Sequence, residues 1–158
     1  AVSAGLTAGT PIEVGSISSA DVNGHTSLLC IPSPVGTGTI TVTLSTSASY
    51  QSNAILFQHA HQATPCPTGA GNVFTEVGTT NPHTATLANL TSNDAAVAIG
   101  SNANNGDGPV MQQTETFNNN STFVNMAAGY HLGTGAVSVN WAGTSDNNGF
   151  VAARIVGF

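Results

Sequence analysis

Positive charge is almost missing from this chain: Arg154 is the only Lys or Arg in 158 residues, set against seven Asp and Glu. A formal charge of −6 with a single cation cannot neutralise a row of phosphates, which excludes the electrostatic mode that underlies nucleic-acid binding. The same deficit argues against adhesion to anionic membranes, and no run approaches the roughly 18 apolar residues of a spanning helix. Carboxylates are scarce as well, so an acidic, halophile-like surface is excluded. Helical periodicity is hard to find anywhere in the chain. Catalytic signatures are missing too: there is no GxSxG elbow, no HExxH and no Walker loop. These absences together predict a non-enzymatic protein that needs no cofactor.

What is present in quantity is uncharged and small. Thr (21), Asn (16), Ser (15) and Gly (18) supply 70 residues, the composition of short β-strands with hydroxyl and amide faces joined by tight turns. Hydrophobic residues make up 40%, which separates the chain from a disordered polymer and predicts a globular fold. A chain of this length fits one domain and buries about 68–70% of its unfolded surface, enough for a core without a metal. The segment AVSAGLTAGTPIEV has neither a basic n-region nor an apolar h-region, so no signal peptide is expected within it, and secretion stays open.

Period-two alternation between turn residues is the dominant pattern. Thr39 to Leu44 reads TITVTL, with Ile40, Val42 and Leu44 on one face, and Ala136 to Trp141 reads AVSVNW, with Val137, Val139 and Trp141 inward. Further strands are predicted at Thr26–Ile31, Asn53–Gln58, Asn72–Val77, Ala95–Ser101, Val110–Phe117, Thr122–Ala128 and Phe150–Val156. Residues 35–44 align without gaps to residues 132–141, each followed by a polar turn and a second apolar strand, so each copy is predicted to be a β-hairpin. Convergence on Gly-rich turns accounts for the match equally well. About nine or ten short strands without a substantial helix predict an all-β, two-sheet sandwich with jelly-roll-like connectivity. Residues 1–20 are small and carry only the brief alternation IEVGSI, and they read as an extended arm or edge strand preceding a single sandwich domain over 21–158.

Few residues bear chemistry. Cys30 in SLLCI and Cys66 in PCP form either one disulfide or a pair of buried thiols. His59 and His61, in FQHAHQ, would project to one side if a strand ran through them, which is workable spacing for two metal ligands. A lone His-x-His reads first as polar loop residues. Asp107, in the oxygen-rich loop SNANNGDGP, is a candidate calcium ligand, but the EF-hand order is not met and a surface turn is the simpler reading. The seven carboxylates are scattered, so a glycosidase pair would have to be assembled by the fold. Tyr50, Phe117, Phe123, Tyr130 and Trp141 could stack on sugars, although Trp141 is in phase with core residues. Arg154 falls inside the apolar stretch FVAARIV and is expected to serve as a structural cation.

The C-terminal two-fifths carries a recognisable grammar: Asn93-Asp94 at a polar turn, then Gly133-Thr134 and a strand with Val137, Val139 and Trp141, then a final Ala/Val-rich strand. This resembles a β-sandwich pattern of bacteriophage virion proteins, also seen in some bacterial surface proteins. The resemblance covers about 65 residues and implies a jelly-roll-like domain used for assembly or display. On that basis the expected function is that of a capsid decoration or head-fibre protein. Its expected partners are the major capsid protein or another virion protein and further copies of itself, as a homotrimer, at the virion surface. The alternative is a secreted adhesin or carbohydrate-binding module at a bacterial cell surface.

Overall fold

A computed structural model of the chain describes residues 6–7, 9–18, 25–44, 49–61, 63–102, 108–120, 124–142 and 148–157. Within them the chain is all-β, with no helix: β1 (Leu6–Thr7), β2 (Ile12–Ser18), β3 (His25–Cys30), β4 (Val35–Gly36), β5 (Val73–Val77), β6 (His83–Thr86), β7 (Ala95–Asn102), β8 (Pro109–Met111), β9 (Thr114–Asn120), β10 (Asn125–Leu132), β11 (Ala136–Trp141) and β12 (Gly149–Ile155). A five-stranded sheet, ordered β5-β12-β7-β10-β9, faces a three-stranded sheet, ordered β6-β11-β8. The antiparallel pairs are nested: β5 with β12, β6 with β11 and β7 with β10. Counted from β5 onward, first pairs with last, second with second-last and third with third-last. This is a long hairpin folded over on itself, the connectivity of a jelly roll.

Alternation explains the layer between the sheets. Val137, Val139 and Trp141 of β11 are buried, and with Ala85, Leu87 and Met111 they pack against Ala96, Ala98, Ala127, Phe150 and Ala152 of the larger sheet. The central strands β7 and β12 are buried on both faces, so they read as near-continuous small apolar runs and do not alternate. At Gly100 even a methyl group would crowd Val139 and Trp141, which shows how closely the sheets approach there.

The outer face of the larger sheet is covered by the β2–β3 ribbon. Its register shifts between Glu13 and Gly15, leaving Val14 as the extra residue of a bulge. Val14 is thereby turned inward to pack with Cys66, Ala153, Leu28, Val73 and Ile155. Residues 12–18, at the end of the expected arm, are thus a paired strand lying on β5 and β12. Farther along the same sheet, Phe57 meets Tyr130 edge-on at 5.5 Å, and Gln51 Nε2 donates to the Val124 carbonyl.

Several expected elements are corrected. Thr39–Leu44 is not a continuous strand: Ile40 makes a single bridge and no ladder runs through the segment, because alternation makes a segment competent to extend but does not by itself fix a ladder. Asn53–Gln58 is likewise irregular. The expected strand Val110–Phe117 is two, since Gln112 and Gln113 turn the chain from the smaller sheet into the larger one. The hairpin expected at residues 132–156 does not exist, because β11 and β12 lie in different sheets and do not pair with each other. Among the described residues, its counterpart at 35–57 has only the short β4. β6 was not foreseen, although His83, Ala85 and Leu87 alternate with three Thr and Ala neighbours in a readable pattern.

Candidate functional site

Arg154 and Asp94 meet where β12 ends. Asp94 closes the turn before β7, where its Oδ2 accepts from the Thr91 backbone N–H and hydroxyl, both at 2.7 Å. Arg154 Nε donates to the same oxygen at 2.9 Å, and the Gly157 N–H donates to Oδ1 at 3.0 Å. Burial pushes this carboxyl up, but the bonds from Thr91, Gly157 and Arg154 outweigh it and hold it at about 2, below its usual 3.8. Arg154 Nη1 reaches Asn72 Oδ1, and the Asp94 carbonyl accepts from Gly133 N–H, so one acid ties together the chain before β5, the turn into β11 and the segment after β12. The Arg154 guanidinium is thus engaged within the fold by Asp94 and Asn72.

A second polar node was missed in the sequence. His83 is fully buried at the start of β6, edge-on to Trp141 at 5.7 Å and tilted to Phe150 at 6.0 Å. Its Nε2 lies 3.2 Å from the Gly78 carbonyl, while Glu76 Oε2 sits 3.0 Å from Nδ1 without hydrogen-bond alignment. Next to it Asn81, before the cis Pro82, brackets the Trp141 backbone: Oδ1 accepts from its N–H and Nδ2 donates to its carbonyl. With both ring nitrogens facing protein atoms and no exposed surface, His83 cannot meet a substrate in this conformation. It joins the two sheets.

The metal candidates are not brought together. Gln58 and His59 form a turn, and His59 takes a φ of 62°, so no strand carries His59 and His61 to one side. His61 Nδ1 accepts from Thr64 N–H, and the His61 N–H donates to the Val156 carbonyl. Asp107 lies outside the described residues. Among those residues, no group of three or more His, Cys, Asp or Glu is placed to hold a metal ion. Cys30 and Cys66 are disulfide-bonded, fastening the end of β3 to the loop before β5. The four described carboxylates each serve a local partner: Glu13 accepts from Ser16, Glu76 faces His83, Asp94 binds Arg154, and Glu115 accepts from Met111 N–H and Asn118. Asp21, Asp107 and Asp146 lie outside the described residues.

The feature that remains is a surface. Residues 22–75 contain no Asp, Glu, Lys or Arg at all. Within it, seven large hydrophobic side chains from Leu29 to Leu56 are nevertheless exposed, Val35 at 67% and Leu56 at 71%. Scattered exposed apolar residues are ordinary, and what sets these apart is that they fall within one uncharged stretch of the sequence. The sequence carried a usable signal for it, the charge-free run, which is visible only when the spacing of acids is considered together with their number.

No family model matches the chain, and no match was found among curated proteins or among solved structures.

Proposed function

We propose that this chain is a non-enzymatic structural protein of a phage virion, a capsid decoration or head-fibre component that works by protein–protein assembly. The carrying observation is the set of exposed apolar side chains between Val35 and Leu56, in a charge-free part of the chain, beside a jelly-roll-like sandwich. Interface cores are depleted in charge, and here the depletion runs through a third of the chain. The polar nodes support the same reading, since the Asp94–Arg154 and His83–Glu76 pairs are bound up with joining sheets and turns. The resemblance of the C-terminal strands to virion sandwiches supplies the setting, with the major capsid protein as partner and a homotrimer as the assembled form.

The test is co-sedimentation of purified protein with capsids that lack it. Saturable binding at a fixed ratio per capsid, accompanied by a raised capsid melting temperature, is the expected result. A protein that stays at the top of the gradient across capsid sources would overturn the reading. A carbohydrate-binding role is the second reading, carried by Tyr50, the one exposed aromatic among the described residues. Glycan-array binding abolished by Tyr50→Ala would favour it.

A further inference from the structure

Asn148 and Gly149, where β12 begins, are each fixed by what surrounds them. Asn120 of β9, Asn125 of β10 and Asn102 of β7 are register partners, and Asn148 precedes the Gly149 that pairs with Ser101, so four amides follow one line across the larger sheet. Asn102, Asn125 and Asn148 are buried, and Asn102 Nδ2 donates to Asn148 Oδ1. Gly149 lies under the β2–β3 ribbon, where a Cβ would meet Thr26 Oγ1 at 3.0 Å and Ile17 Cγ2 at 3.6 Å. Packing thus calls for an amide at one position and for no side chain at the next. Together they make Asn-Gly, the dipeptide in which the following backbone nitrogen is least shielded from the Asn side-chain carbonyl.

From this we infer that Asn148 is a latent deamidation site, held unreactive by the closed sheet and released when the ribbon lifts. In the reaction the Gly149 nitrogen bonds to Asn148 Cγ, the Cγ–Nδ2 bond breaks, and ammonia leaves with the proton of the Gly149 N–H. Water then opens the succinimide to aspartate or isoaspartate. The leaving Nδ2 is buried and has no partner among the described residues. What the fold withholds is the nucleophile and the water: Gly149 is in register with both Val77 and Ser101, the Asn148 carbonyl accepts from Gly78 N–H at 3.1 Å, and Asn148 is wholly buried. The product does not fit back into this place. A carboxylate would replace a neutral amide in the buried row, while the only Lys or Arg of the chain is tied to Asp94 toward the other end of β12. Isoaspartate also adds a methylene to the main chain where the strand's pairing starts. Opening of this end of the sandwich is thereby recorded as a permanent covalent change, whatever the protein assembles with.

Peptide mapping by mass spectrometry, with the full chain held in mildly alkaline buffer and the Asn148 peptide followed over time, tests it. Deamidation is expected to be at least about tenfold slower in the folded protein than in the same chain kept in urea. Two variants loosen the ribbon without touching the dipeptide: Ile17→Ala thins its packing over Gly149, and Thr26→Ala removes the hydroxyl that is bonded to Ser101. Each should speed the reaction in buffer, while unchanged near-UV circular dichroism of buried Trp141 shows that the sandwich stays folded; if one variant unfolds, the other carries the comparison. Asn148→Asp, the product, should melt below the wild type. Equal rates in buffer and in urea, or no reaction in urea, would remove the gated site. Ribbon variants that react no faster than the wild type would overturn the gate, and an Asn148→Asp protein as stable as the wild type would overturn the permanence of the change.

Discussion

Arg154 Nε lies 2.9 Å from Asp94 Oδ2, so the only Lys or Arg of the sequence is paired with a carboxylate whose side chain is 2% exposed. The pair spans 60 residues and links the last strand to the turn before β7. Because Asp94 also accepts from Thr91 and Gly157, its charge is matched by hydrogen bonds on both oxygens. A buried ion pair of this kind is unforgiving when one member is removed.

Arg154→Ala should therefore destabilise the protein by about 3 kcal/mol, since it leaves a buried carboxylate short of its cation. Denaturant melts of the wild type, Arg154→Ala, Asp94→Ala and the double variant would measure the pair directly. Strong coupling between the two sites is expected. Additive single effects would mean that the two residues act independently and that the pair is incidental.

Acid should weaken the fold through the same residue. The Asp94 carboxyl sits at about 2 in the folded chain and near 3.8 otherwise, so the folded state binds fewer protons between these values. Stability then rises with pH across that window: the contribution, about 2 kcal/mol, is fully present above roughly pH 4 and is lost as the pH falls through the folded value. Urea melts from pH 5 down to pH 2 should show this slope in the wild type and a flatter one in Asp94→Asn. Equal slopes would assign the acid sensitivity to other groups.

The disulfide closes a loop between positions 36 residues apart. In the chain-entropy model its removal costs about 4 kcal/mol, because the unfolded chain regains that freedom. A Cys30→Ser/Cys66→Ser variant should melt far below the wild type and lose protection first in the β2–β3 ribbon, which packs around Cys66. Hydrogen exchange resolved by segment checks this order. Uniform loss across all strands would show that the ribbon and the sandwich unfold as one unit.

Gly100→Ala probes the closest approach of the two sheets. The added methyl would meet Val139 Cγ2 at 2.9 Å and Trp141 Cη2 at 3.1 Å. Overpacking of this sort costs about 1–3 kcal/mol, and a combined Val139→Ala change should recover part of it by making room. A neutral Gly100→Ala variant would mean that the sandwich is more loosely packed than these distances indicate.

Much of the sandwich was legible because burial on one face leaves a period of two in the chain. Ala136–Trp141 was read with its inward face intact, and Ala95–Ser101 and Phe150–Val156 stood out as small apolar runs. The same rule misled at Thr39–Leu44, where the pattern is as regular but no ladder forms. His83 escaped notice because its polarity masked its phase with Ala85 and Leu87, although its ring is held by Trp141, Phe150, Gly78 and Glu76. Arg154 was marked as structural by its place among apolar residues, while Asp94, its partner, was one of seven scattered acids.

What the chain determines by itself is local: which residues can extend, where the turns fall, and that one cation cannot pair with a row of phosphates. Pairing was decided only in three dimensions. Nested ladders join β5 to β12 and β7 to β10 across long separations, so neither partner's immediate neighbours encode the match. The same holds for polarity, since Asp94 becomes a tie between turns, and Cys30 the anchor of a ribbon, only after distant backbone is delivered to them. Alternation states that a face wants cover. The tertiary structure supplied it in full for β11, whereas Ile40, Val42 and Leu44 stay partly exposed.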